Sequence, residues 1–90
     1  MKDNKELDEI LAQVKSQIES LLNESNVPRN VKGAMDEARK ALDKKEDDYA
    51  VRASSATYKI DEISNDINLP PYARTVIWNM LSLLESVKGE

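Results

Sequence analysis

Residues 26–35 read NVPRNVKGAM and residues 68–77 read NLPPYARTVI, so one phrase is written nearly twice, 42 residues apart. Each copy holds proline (Pro28; Pro70 and Pro71) in a chain with 2 Gly and 3 Pro among 90 residues. Proline stops a preceding helix and is tolerated in the first turn of a new one. The chain therefore has few places to turn. With Leu, Ile, Ala, Glu and Lys between those places, long helices are the default.

Apolar spacing divides the chain into four helices. The first, at about residues 4–23, carries Leu7, Ile10, Leu11, Val14, Ile18, Leu21 and Leu22 as one stripe, with Asp3 and Glu6 resembling a capping box. The second, about 28–45, uses Val31, Ala34, Met35, Ala38 and Leu42, and Gly33 lies off that stripe as a tolerated surface glycine. A charged linker at 44–48, KKEDD, ends in an aspartate suited to cap the third helix. That helix, about 49–65, presents Ala53, Ala56, Thr57, Ile60 and Ile63, small enough for a neighbour to approach closely. The fourth follows Pro70-Pro71 to about residue 88, with Ala73, Val76, Ile77, Met80, Leu81, Leu84 and Val87.

With Pro28 and Pro70 in register, Val14 meets Ala56, Ile18 meets Ile60 and Leu21 meets Ile63. Beyond the turn, Val31 meets Ala73, Met35 meets Ile77 and Leu42 meets Leu84. A period of about 42 with a proline elbow is the format of HEAT-type helical repeats. The expected fold is all-α: one domain over residues 1–90, built as two antiparallel HEAT-like hairpins, about 4–45 and 49–88. One hairpin alone would leave its stripe exposed.

Composition removes several functions. There is no cysteine and no histidine, so disulfides, Cys/His zinc sites and histidine acid–base chemistry are absent. Carboxylates occur as adjacent pairs, Asp47-Asp48 and Asp61-Glu62, which diverge on a helix. Ser55 and Lys59 are four apart, but no oxyanion-hole candidate accompanies them, and Lys59 is expected to pair with Glu62. No catalytic residue, metal ligand or cofactor site is expected, and the chain reads as a non-enzyme. No apolar run approaches the ~20 residues that span a bilayer, and the polar start MKDNKELDE does not resemble a signal peptide. A cytoplasmic protein without membrane contact is expected.

Two surfaces compete as binding sites. Residues 1–48 carry 21 charged side chains and residues 49–90 carry 9, so buried or sticky surface concentrates in the second half. Val51, Tyr58 and Trp78 fall outside the main stripes when successive residues are turned by about 100°. Either a central third helix uses its second face internally, or Trp78 with Tyr58 anchors a protein partner or a second copy. Arg74, four residues before Trp78, is placed to stack on the indole. The candidate interaction surface is accordingly Val51, Arg52, Tyr58, Arg74 and Trp78. The alternative is nucleic-acid contact through Arg29, Lys32, Arg39 and Lys40 on the second helix. The net charge of −4 and the interleaved Asp36 and Asp43, expected to pair as Lys32–Asp36 and Arg39–Asp43, argue against that alternative.

The runs Ala50-Val51-Arg52-Ala53-Ser54-Ser55-Ala56, Asp61-Glu62-Ile63-Ser64, Arg74-Thr75, Ile77-Trp78-Asn79 and Leu83-Leu84-Glu85 resemble a small archaeal family, uncharacterised protein family 0147. Val27-Pro28-Arg29-Asn30-Val31 joins them, and the resemblance covers nearly the whole chain. It implies an all-helical, cytoplasmic archaeal protein of about this length. It implies no activity, and hence no catalytic or ligand residues. Pro71 and Tyr72 stand where the family is expected to vary.

Overall fold

The computed structural model describes residues 2–89. Four helices follow one another: α1 (Asn4–Leu22), α2 (Arg29–Leu42), α3 (Tyr49–Asp61) and α4 (Pro71–Lys88), with no strand among the described residues. Asp3 caps α1 by accepting the Glu6 N–H at 2.8 Å, and Asp48 caps α3 by accepting the Val51 N–H at 2.9 Å. Both caps fall where the sequence places them. Pro28 and Pro70 precede α2 and α4 in extended conformation, with no side-chain cap.

The helices form a closed ring in which α1 packs on α2, α2 on α3, α3 on α4, and α4 back on α1. Short connections make each consecutive pair antiparallel. Two ties confirm which ends meet. Tyr49 at the start of α3 donates to Asp8 near the start of α1 (2.7 Å), and Tyr72 at the start of α4 donates to Asn26 after α1 (2.7 Å). The extents of 36 × 21 × 19 Å are those of a bundle one helix long and two helices across.

A single core fills the ring. Leu7, Leu11, Val14, Ile18 and Leu21 of α1 meet Val31, Met35, Ala38 and Leu42 of α2. Ala53, Ala56 and Ile60 of α3 complete it with Ala73, Ile77, Met80, Leu84 and Val87 of α4. Positions 42 apart share their burial: Val14 and Ala56, Ile18 and Ile60, Met35 and Ile77 are all fully enclosed.

The helix ends differ from expectation at two places. Helix α2 stops at Leu42 rather than near 45, and α3 at Asp61 rather than near 65. The reason is a shared turn. Val27 N–H donates to the Glu24 carbonyl, Asp47 N–H to Lys44 and Leu69 N–H to Asp66, so all three connections close the same way. In the third turn, Ile63 and Leu69 drop their side chains into the core, while Ile67 between them is 90% exposed. Strong helix formers such as Lys44 and Lys45 are thus outvoted by the need to reverse the chain.

Candidate functional site

The outward faces of α3 and α4 carry large side chains that the core does not use. Tyr58 is 68% exposed, Trp78 59% and Val51 46%. Val51 and Tyr58 are seven residues apart, two turns along one line of α3, opposite the Ala53–Ala56–Ile60 stripe. Trp78 stands across α4 from Met80 and Leu84, both fully buried. Of the two readings of the surplus apolar surface, the exposed one is the arrangement observed for these three residues.

Two arginines expected on this surface lie elsewhere. Arg52 is buried, 8% exposed, with its guanidinium carbon 4.3 Å from the centre of the Tyr49 ring. Its Nε donates to the Asp47 carbonyl at 3.1 Å and Nη1 reaches the Leu42 carbonyl at 3.5 Å. Leu42 ends α2, so the cation occupies the negative end of that helix, where it satisfies an otherwise orphaned acceptor. Arg74 does not stack on Trp78. It is half-buried and Nη2 donates to the Asp66 carbonyl at 3.3 Å, holding the third turn. The Asp66 carbonyl, in the connection before α4, competes with an exposed ring, and the hydrogen bond prevails.

Two of the four basic residues of α2, Arg39 and Lys40, are committed to ion pairs. Arg39 bridges Glu19 of α1 (2.6 Å) and Asp36 of its own helix, and Lys40 reaches Asp36 at 3.2 Å. Asp36 therefore pairs with Arg39 and Lys40 rather than Lys32, and Asp43 pairs with Lys15 of α1 at 2.8 Å rather than Arg39. The hydrogen bond from Lys40, aided by Arg39, holds the Asp36 carboxyl below its ordinary range, and Glu19 in turn raises Arg39. Arg29 is exposed and Lys32 half-buried. Both border a cavity of about 610 Å³ with Ser25, Asn26 and Asn68, between the first and third turns. The four cations thus do not form one free patch.

Lys59 pairs with Glu37 across the α2–α3 groove at 3.7 Å, not with Glu62. Lys59 faces α2, a direction that sequence spacing within one helix does not reveal. Gly33 lines the same groove, and a Cβ there would meet nothing within 4 Å. Among the described residues no three Asp or Glu side chains gather closely enough to hold a metal ion.

Ile67 and Tyr72 (42% exposed) are the exposed apolar residues that sequence spacing overlooked. Aligning the three turns would have found Ile67, because it takes the place of Ser25 and Lys45, both exposed.

With this geometry in hand, comparison with known proteins places the chain. Residues 1–87 match the family model of UPF0147, described as an uncharacterised protein family. The UPF0147 protein MJ1419 of Methanocaldococcus jannaschii is 41% identical over 81 residues, 90% of this chain and 87% of that one. PF0239 of Pyrococcus furiosus, another UPF0147 protein, is 43% identical over 70 residues, 78% of this chain and 75% of that one. A crystal structure of a protein of unknown function, MMP1188, is similar with a TM-score of 0.81 and 38% identity, covering 86% of this chain and 88% of that one. No helix among the described residues is long and apolar enough to cross a membrane.

Proposed function

This chain belongs to the UPF0147 family, and from that premise we propose that it is a small non-enzymatic protein-interaction module of the archaeal cytoplasm. Its contact surface is the outward side of α3 and α4. The observation that carries the reading is the exposure of Trp78, 59%, and of Tyr58, 68%, on two helices that pack together. A folded chain gains by burying such rings, and half-exposed Trp and Tyr are the residue types that dominate the energetics of protein contacts. Val51 extends the apolar area along α3.

The duplicated HEAT-like construction belongs to the same reading. It is supported by the matched burial of positions 42 apart and by equal turns at 24–28 and 66–70. The third copy of that turn, at 44–48, weighs toward a unit of one helix and one turn.

The test is a pull-down from an archaeal lysate, with and without nuclease, comparing the natural chain with Trp78→Ala. A protein captured after nuclease treatment and lost with the tryptophan supports the module. Partners lost on nuclease treatment alone would move the function to nucleic acid and to Arg29 and Lys32. Partners retained in full by Trp78→Ala would sink the proposed surface.

A further inference from the structure

The outward side of α3 and α4 has a distinctive balance of charge, and we infer that it docks a basic amphipathic segment, one bearing Lys or Arg beside its apolar residues. This rests on the protein-contact reading above and adds the chemistry of the partner. Tyr58 and Trp78 offer two exposed aromatic faces, and the negative face of an indole or phenol attracts ammonium and guanidinium groups. Asp61 and Glu62 follow Tyr58 by three and four residues and so flank the ring, Glu62 also bordering the α2–α3 groove that Lys59 lines. Both are exposed, and neither belongs to an ion pair found among the described residues.

The four cations of α3 and α4 are engaged elsewhere. Arg52 is buried over Tyr49, Arg74 holds the Asp66 carbonyl, Lys59 reaches Glu37 of α2, and Lys88 reaches Glu85 one turn away. The face therefore joins exposed aromatic rings to acids that no ion pair among the described residues engages. An acidic partner would be repelled. A second copy meeting this face symmetrically would bring the same two acids, and the cations of its own α3 and α4 are engaged in the contacts just named. A basic segment supplies both missing parts: apolar side chains for Val51, Tyr58 and Trp78, and positive charge for Asp61 and Glu62. Electrostatic matching of this kind sets the choice of partner more than total affinity.

The experiment uses the full chain and an 18-residue, dye-labelled peptide of Lys and Leu with apolar residues at helical spacing, followed by fluorescence anisotropy. A Glu and Leu peptide of the same pattern is the counterpart. The Lys peptide should bind the natural chain, and bind at least about tenfold more weakly to Asp61→Asn/Glu62→Gln and to Trp78→Ala. Glu6→Gln/Glu9→Gln removes equal charge from the exposed side of α1 and should leave binding unchanged. Equal loss in that control would reduce the effect to net charge and overturn the inference. If Trp78→Ala weakens both peptides while the Asp61/Glu62 exchange changes nothing, the contact face stands and the basic partner falls. Dimerisation that Trp78→Ala abolishes, seen by sedimentation, has the same meaning. Binding indifferent to Trp78→Ala removes both the partner and the face.

Discussion

The guanidinium of Arg52 covers the ring of Tyr49, one turn before it on α3, at 4.3 Å from the ring centre. The pair joins three elements, because Arg52 also reaches the end of α2 and Tyr49 donates to Asp8 of α1. The hydrogen bond to Asp8 raises the Tyr49 hydroxyl above the ordinary phenol range by favouring its protonated form. Arg52→Met should destabilise the chain by about 2–3 kcal/mol, the range for losing charged hydrogen bonds and leaving buried acceptors unmet. Arg52→Lys should recover less than half, since an ammonium lacks the planar fork that serves the Asp47 and Leu42 carbonyls together. Urea unfolding of the three chains decides it.

Gly33→Ala should stabilise the protein by about 1 kcal/mol, the helix-interior difference between the two residues. The new methyl enters open space, with no atom within 4 Å to resist it. For a domain of this size the melting temperature should rise by about 4–8 °C, measured by circular dichroism.

Thr57→Val should also stabilise, by about 1 kcal/mol. The Thr57 hydroxyl oxygen is buried without a hydrogen-bond partner, and an unmet buried hydroxyl costs roughly 1–3 kcal/mol. Valine keeps the shape and removes the cost. A lower urea midpoint for Thr57→Val would show that the hydroxyl is satisfied after all.

Acid should weaken the tie between α2 and the third turn. Asp66 accepts from the Asn30 side chain at 2.9 Å and from the Asn68 N–H at 2.8 Å, and these bonds, Asn30 foremost, hold its carboxyl below the ordinary range. A carboxyl depressed in the folded state contributes stability above its unfolded pKa, about 3.9, and loses it as pH falls through the folded value. The gap in urea midpoint between the natural chain and Asn30→Ala should therefore stay constant from pH 7 to 5. It should narrow below about pH 4.

Trp78→Ala and Leu84→Ala lie on opposite sides of α4 and should separate function from stability. Leu84 is fully buried, and its truncation should cost roughly 2–5 kcal/mol. Trp78 is mostly exposed, and its loss should change stability by less than about 0.5 kcal/mol. Thermal melts of both variants check the contrast.

Much of this architecture could be read from spacing alone. Val14, Ile18, Met35, Ile77 and Leu84 recur at three and four because a helix turns every 3.6 residues, and each proves fully buried. Asp3 and Asp48 announce their helices because a short carboxylate is the natural acceptor for the first free N–H groups. Arg52 escaped that logic. Its charge suggests the surface, yet its long apolar stem permits burial once carbonyls from two other segments meet its head, and those segments come together through folding alone. Lys59 and Asp43 found partners on neighbouring helices for the same reason. The exposure of Trp78 was one of two open readings, because a wheel shows which side of a helix a ring occupies but not whether another helix covers it.

The closed ring has one last consequence, for how the chain could be rewired. Helices α1 and α4 are antiparallel neighbours, so the first residues of one and the last of the other emerge at the same end of the bundle. The order in which the helices are synthesised is then separable from the order in which they pack. A short tether joining those termini, with a new opening cut in the exposed turn at Lys45, would give a circular permutant starting at α3. It would meet every neighbour of the parent ring, and leave Tyr58 and Trp78 on the outside as before.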